Sequence, residues 1–513
     1  MLITDGFREY AQQHPDQLAV TLGSDRRTYG ELLRTSQQIA NGVWLKLADV
    51  SSHRRRVGLL LTNNIEFLES FLGIVMAGGT AMILNPDWPS ATLCRILEQW
   101  PPALLITQTS CLPLLHPLSL DIPTVTLDFD LSNVQSNTVS YLEWRDRQSS
   151  EWVGVQTLDT DPFYICFTSG TTGQPKGVIR HHRSWIKSMA ASQAEFGITA
   201  EDQVFAPGAL VHSLFLYTAI ESLATGATLH LLPKFNPRTA VAQLQLHAVT
   251  VLVGVPILLS AIAKVAQSQS LSLSTVRTII SGGAKLEKRL HQQIPHLFPF
   301  AQCFEYYGAT ELSFISLWSS REAAPMSSVG RAFHGVELSI RRESDYSQAD
   351  VGEIGWIGIK SEMTSLGYLS PLNQASDSED LSIVHPPSSE QVGYRIVQGW
   401  ATVGDRGWID ENGYLYLVGR EQDMINSGGL KVYPAEVEAA LHSLPEVESA
   451  VVFGVPDADR GDRICAIVQW AGITCLTRRE LQERLLTSLA RHKCPQRFFS
   501  IDQWPLTSSG KIA

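Results

Sequence analysis

Long apolar runs, paired cysteines and basic stripes are all missing from this 513-residue chain, and each absence closes a class of function. No segment supplies the ~20 apolar residues that a membrane-spanning helix needs. The nearest candidates, residues 67–84 and 249–263, are broken by Glu69 with the Gly78-Gly79 pair and by Pro256, so both read as buried strand and helix. The seven cysteines (94, 111, 166, 303, 465, 475 and 494) are odd in number and form no CxxC pair. That pattern fits reduced thiols in a cytoplasmic protein better than a disulfide framework or a zinc site. Asp5, Arg8 and Glu9 stand where a secretory signal needs an apolar core. A formal net charge of -11 argues against a chain built to coat nucleic acid, and the single basic run, 54–56, reads as the solvated entry to a strand.

Core-forming material is plentiful. Hydrophobic residues make up 44% and charged residues 18%, a globular balance, and the length calls for more than one structural unit. From about residue 55 to 300, short β-rich runs alternate with helical patterns, the signature of β-α-β units on a largely parallel sheet. Residues 56–62 (RVGLLLT) read as a buried strand, followed by helical spacing over 65–77. Further strands are expected at 103–106, 163–167, 228–232, 249–253 and 276–280. Residues 373–391 are polar and turn-rich and read as a loop. Beyond it, strands at 413–418 and 449–455 and helices at 434–441 and 478–490 close the chain as a small α+β unit. The boundary falls near Arg420, giving domains 1–420 and 421–513, with no internal repeat.

The strand at 163–167 runs into TSGTTGQPKG, residues 168–177. Its glycines, hydroxyls and backbone amides suit a phosphate, and Lys176 adds a mobile positive charge. It is not a Walker A loop, because Gly177 follows Lys176 where Ser or Thr is required. The string resembles the phosphate loop of the adenylate-forming superfamily, which holds acyl-CoA synthetases, adenylation domains of peptide synthetases and firefly-type luciferases. Further motifs extend that resemblance over nearly the whole chain, with the acyl-CoA synthetases as the nearest reading.

The resemblance implies an α/β fold: a large N-terminal domain of layered sheets with a small β-barrel-like part, and a small mobile C-terminal α+β domain. It also implies roles for named residues. Thr168, Ser169, Gly170, Thr171, Thr172, Gly173 and Lys176 would hold the ATP phosphates. Gly282, Gly283 and Ala284 would lie against adenine, Tyr307 would stack on it beside Gly308, Thr310 would meet the α-phosphate, and Glu311 would hold Mg²⁺, a hard cation suited to carboxylate oxygen. Asp405 and Arg420 would take the ribose, and Gln422 occupies the hinge. Gly429 and Lys431 would face the pantetheine thiol, with a plain loop glycine as the other reading of position 429. Lys511, in PLTSSGK, would bridge carboxylate and ATP during adenylation, with Thr168 and Glu311 as the other catalytic groups.

The sequence departs from the family in places. Gln422 replaces the usual Asp or Lys, Tyr306 replaces the glycine before the stacking aromatic, and the sequence ends two residues after Lys511, short of the family's usual tail, either because the protein stops early or because its last residues are absent here. The implied reaction is activation of a carboxylic acid by ATP to an acyl-adenylate, followed by thioester formation with coenzyme A. An acyl or peptidyl carrier protein supplied as a separate chain is the alternative acceptor, and a catalytically silent nucleotide-binding regulator is the alternative from another class. No acid appears among Val211, His212, Ser213, Leu214 and Phe215, where an α-ammonium would need one. His212 resembles a histidine that many acyl-CoA synthetases place at the acyl pocket, and with Tyr306 and Gly308 the resemblance implies a pocket for a medium acyl or aryl acid, with a satisfied structural histidine as the other reading of His212. The oligomeric state is not implied.

Overall fold

The computed structural model describes residues 1–51, 55–118, 121–128, 137–152, 154–168, 175–370, 383–384, 393–420, 423–427, 430–457, 461–472 and 475–505. The chain divides into two compact units. One comprises Met1–Met326, Phe333–Val336 and Ser361–His385, and the other Ser327–Ala332, Glu337–Lys360 and Pro386–Ala513. The second unit therefore takes in a sheet that precedes residue 420 together with the segment after it.

Two mixed sheets organise the first unit. One has Gln302–Ala309, Thr278–Gly282, Val251–Gly254, Gln203–Ala206, Thr228–Leu231 and Leu18–Leu22 in that spatial order. The other has Gly367–Leu369, Lys176–His181, Pro162–Thr168, Thr80–Ile83, Arg56–Leu60 and Leu104–Thr107. Neighbours in the middle of each sheet are parallel and joined by crossover helices, as strands buried on both faces require. Side-chain alternation sets the layers. Val57, Leu59 and Leu61 pack with the helices Tyr29–Leu47, Ile65–Met76 and Ser213–Thr225, whereas Leu60 turns to the helix Ser90–Gln99. Phe205, Leu252 and Ile279 meet the helices Pro237–Leu246, Pro256–Ser268 and Lys288–Leu297. The result is the expected layered α/β body, with helices between the sheets and outside them.

Local chemistry fixes the helix ends. Thr28 and Glu31 form a capping box, Asn236 caps a helix that opens on Pro237, and Gly197 and Gly226 end helices in the left-handed region at φ 61° and 87°. Among the described residues no helix is long and apolar enough to cross a membrane.

The second unit holds two sheets of its own. In one, Glu337–Arg341, Gly355–Lys360, Asp405–Ile409 and Leu415–Arg420 pair in antiparallel fashion. In the other, Val447–Asp457 pairs with Gly461–Trp470, and Val437, Leu441, Leu481 and Leu485 cover it from the helices Pro434–His442 and Arg478–Leu485.

Three sequence readings change. The helix expected over 478–490 stops at Leu485, where Thr487 and Ser488 turn their hydroxyls back to the Arg484 and Leu485 carbonyls (2.7 and 3.4 Å) in place of helix continuation. Arg56, expected at a solvated strand entry, is only 6% exposed because it already belongs to a central strand. Most of the polar stretch 373–391 lies outside the described residues, but Ile383–Val384 is a short strand paired with Gly367–Leu369.

Candidate functional site

The glycine-rich segment is held at both ends. Thr168 closes one strand and Lys176 opens its antiparallel neighbour, and the two residues are register partners. Ser169, Gly170, Thr171, Thr172 and Gly173 lie outside the described residues. Lys176 Nζ stands 5.4 Å from the centroid of the Tyr368 ring, and Tyr368 Oη donates to Glu311 Oε1 at 2.7 Å. Lys176, Tyr368 and Glu311 thus form one continuous chain of contacts. Glu311 is 8% exposed, and its backbone carbonyl accepts from the Ser365 N–H at 2.7 Å.

A buried arginine ties the two motifs together. Arg180, on the strand that leaves the glycine-rich loop, is 1% exposed. Its Nη1 donates to the Thr310 carbonyl (2.8 Å), and its Nη2 donates to Ser313 Oγ and the Met363 carbonyl (both 2.6 Å). Ser313 sits at φ 60°, a region that costs an L-residue of order 1–2 kcal/mol. Arg180 and Ser188 Oγ (3.1 Å) hold its side chain there, so the turn carrying Thr310 and Glu311 is fixed from beneath.

The two segments that the resemblance assigns to adenine lie on paired parallel strands, which puts Gly282 opposite Tyr306. The structure gives each glycine its own reason. A Cβ at Gly282 would fall inside the Tyr306 ring, Gly283 sits at φ +87°, and a Cβ at Gly308 would run into the Ser313 carbonyl oxygen. Ala284 follows on the same exposed turn. The missing side chain at 308 therefore serves the irregular pairing between Tyr307 and Gly308, rather than leaving acyl-pocket volume in that direction. Tyr307 is half-buried on the strand Gln302–Ala309.

The proposed acyl-pocket residues lie close to an unanticipated polar cluster. Tyr306 packs edge-on against Phe314 (4.9 Å between centroids), and Phe314 packs edge-on against Tyr217 (5.5 Å). Tyr217 and Glu221 project from the helix Ser213–Thr225, whose N-cap is His212. Glu221 Oε1 accepts from Ser192 Oγ and lies 3.4 Å from Tyr217 Oη. Burial pushes the Glu221 carboxyl up to about 7 and the Tyr217 phenol well above its ordinary range.

The second unit carries its own pair. Asp405 and Arg420 are register partners on adjacent strands, and Arg420 Nε donates to Asp405 Oδ1 at 2.9 Å. The carboxylate side chain is 8% exposed and the guanidinium 51%. Arg406, beside Asp405, donates to Tyr433 Oη at 2.5 Å. Lys431 belongs to the strand Leu430–Val432. Gln422, Gly429 and Lys511 lie outside the described residues.

Sequence reasoning missed Arg180, Tyr368 and Glu221. For Arg180 the signal was present: a charge among the apolar residues of the strand Lys176–His181 has to be paired when buried. Glu221 likewise interrupts an apolar helix, whereas nothing local marks Tyr368 as a partner of Glu311.

Comparison with known proteins agrees with the motif reading. A family profile described as AMP-binding enzyme matches residues 7–369, and one described as AMP-binding enzyme C-terminal domain matches residues 436–511. An uncharacterized acyl-CoA ligase of Bacillus subtilis, YhfT, is 34% identical over 518 residues, spanning 100% of this chain and 97% of that protein. The chloroplastic/peroxisomal 2-succinylbenzoate–CoA ligase of Arabidopsis thaliana is 29% identical over 556 residues, spanning 98% of this chain and 96% of its own. The solved structure of o-succinylbenzoate CoA synthetase from Bacillus subtilis, in complex with its acyl-adenylate intermediate, superposes with a TM-score of 0.78 at 26% identity, over 99% of this chain and 96% of that one.

Proposed function

Because this chain belongs to the AMP-binding enzyme family, we propose that it is an AMP-forming acyl-CoA ligase acting on a fatty or aryl carboxylic acid. The observation that carries the proposal is Arg180, which links the strand leaving the glycine-rich loop to the turn of Thr310 and Glu311. It joins two motifs that are far apart in sequence, and both have assigned phosphate chemistry.

In the first half-reaction a substrate carboxylate oxygen attacks the α-phosphorus of ATP, and the bond to the bridging oxygen breaks, releasing pyrophosphate. Thr168, Ser169, Gly170, Thr171, Thr172, Gly173 and Lys176 hold the phosphates. Lys511 meets charge developing on the transferring oxygens. Gly282, Gly283, Ala284, Tyr307 and Gly308 line the adenine, Thr310 contacts the α-phosphate, and Asp405 with Arg420 takes the ribose.

Glu311 suits Mg²⁺. Its carboxylate gives one oxygen to Tyr368 and keeps another, and Mg²⁺ is ordinarily held by one or two carboxylates plus substrate phosphates and water. When bound, the ion offsets phosphate charge. In the second half-reaction the coenzyme A thiol attacks the acyl carbon and AMP departs, with Gly429 and Lys431 assigned to the thiol path. His212 and Tyr306 flank the acyl group. Six buried cysteines and one exposed one, with no disulfide, support a cytoplasmic setting.

The test is ATP–pyrophosphate exchange across a panel of carboxylic acids, followed by thioester formation with coenzyme A and, separately, with a carrier protein. Exchange with at least one acid and a thioester on coenzyme A are expected. Silence with every acid refutes the enzyme reading, and transfer to carrier protein alone replaces the acceptor.

A further inference from the structure

A single buried carboxylate ties the glycine turn at 282–284 to the strand that carries Tyr307. Glu305 stands two residues before Tyr307 on the strand Gln302–Ala309, and alternation along the strand puts the two on one face. Its register partner on the parallel neighbour is Ser281, the residue before the turn. Glu305 is 5% exposed, and its Oε2 accepts from the N–H of Leu286, itself buried, at 2.7 Å. Strand pairing stops at Gly282 opposite Tyr306, so the Leu286 N–H finds its acceptor in a side chain rather than in a ladder. The turn is thus gripped at both ends by the same strand.

The carboxylate is itself confined. Its other oxygen, Oε1, lies 2.7 Å from His291 Nε2 on the helix Lys288–Leu297 and 3.8 Å from Lys285 Nζ. The contact with His291 has the length of a hydrogen bond without its direction, so charge rather than hydrogen bonding holds Oε1. Trp318 lies opposite Glu305 on the strand Ser313–Ser319 and closes the surroundings: the His291 ring packs edge-on against its indole (4.9 Å between centroids), and Lys285 Nζ stands 5.6 Å from the indole centroid. Glu305 therefore has little freedom to release Leu286, and a backbone N–H bonded to a charged acceptor is held more firmly than one bonded to a neutral group.

We propose that Glu305 is a positioning residue for ATP, which, by holding Leu286, fixes the turn 282–284 against the strand of Tyr307 before the base arrives. The inference rests on the ATP-binding reading above.

The experiment compares Glu305→Gln with Glu305→Met, side chains of similar length of which only glutamine keeps an acceptor for the Leu286 N–H. Isothermal titration calorimetry reads ATP binding, and ATP–pyrophosphate exchange reads KM for ATP and for the acid. Glu305→Met should weaken ATP binding and raise KM for ATP by about tenfold, with KM for the acid unchanged within about twofold. Glu305→Gln should stay within about threefold of the wild type for ATP. A merely structural role would shrink the active fraction in Glu305→Met, lowering kcat and leaving both KM values in place, and that result overturns the proposal. So does a Glu305→Gln enzyme as impaired for ATP as Glu305→Met. If Glu305→Met does not fold, amide hydrogen exchange in the wild type decides: slow exchange of the Leu286 amide without nucleotide is expected, and fast exchange that slows only on adding ATP overturns the proposal. Pyrophosphate exchange with no acid at all overturns the ligase reading, while calorimetry with ATP still decides on Glu305. No binding of ATP by the wild type overturns both.

Discussion

Glu221→Gln should flatten the pH dependence of stability between about pH 5 and 7. The buried carboxyl is raised from an ordinary 4.5 to about 7, chiefly by desolvation, against opposing hydrogen bonds from Ser192 and Tyr217. A raised acid favours the neutral form in the folded state. Its full contribution is therefore present below pH 4.5, declines as the unfolded chain ionises ahead of the folded one, and is gone above about 7. At ~1.4 kcal/mol per pH unit, the gap amounts to roughly 3 kcal/mol. Glutamine keeps an acceptor for Ser192 and Tyr217 but cannot ionise. Urea midpoints of wild type and variant, measured every half pH unit, give the difference directly. His182 and His230, each held near 3 by burial, have the opposite sign and lose stability as pH falls below their ordinary 6.5. Both are present in the two proteins and cancel in the difference. Parallel profiles from pH 5 to 8 would refute the reasoning and mean that Glu221 ionises normally in the folded protein.

Arg180→Lys removes the fork that holds Thr310, Ser313 and Met363 at once; pyrophosphate exchange should fall by about a hundredfold or more, with stability lower by about 2–4 kcal/mol in urea titration. Gly282→Ala drives a methyl into the Tyr306 ring and should abolish exchange, and pairing it with Tyr306→Gly should recover a measurable part, as a kinetic double-mutant cycle reads out. Lys511→Ala should slow adenylation greatly while sparing thioester formation from supplied acyl-adenylate; equal loss of both steps would end that division of labour. Gly429→Trp should do the reverse, seen as acyl-adenylate accumulating in the presence of coenzyme A.

Much of the architecture is legible in the sequence because buried parallel strands leave a strong mark. The run 56–62 and the helical spacing over 65–77 correspond to Arg56–Leu60 and Ile65–Met76, with ends that shift by one or two residues, as cap geometry allows. Small signals of local origin fared less well. The pattern over 478–490 contains the apolar residues of a longer helix, and Leu489 does reach the core, but from a turn made by competing hydroxyls. Arg56 reads as solvated from its basic neighbours alone, because nothing local reveals that a central strand has already begun.

The site divides along the same line. Motif residues announce themselves because their spacing is short and contiguous, as at 168–177, 281–284 and 306–311. What holds those motifs relative to one another comes from elsewhere in the chain. Arg180 reaches Met363, and Tyr368 reaches Glu311, across separations that no periodicity encodes. The glycines make the same point from the other side. Gly282 and Gly308 read as room for a ligand, yet their missing side chains are answered by the Tyr306 ring and the Ser313 carbonyl. A glycine in a motif thus records a close approach without saying of what. At position 282 the approaching group is the very tyrosine that departs from the family pattern, so Tyr306 is accommodated by its register partner. The substitution is therefore built into the strand pairing.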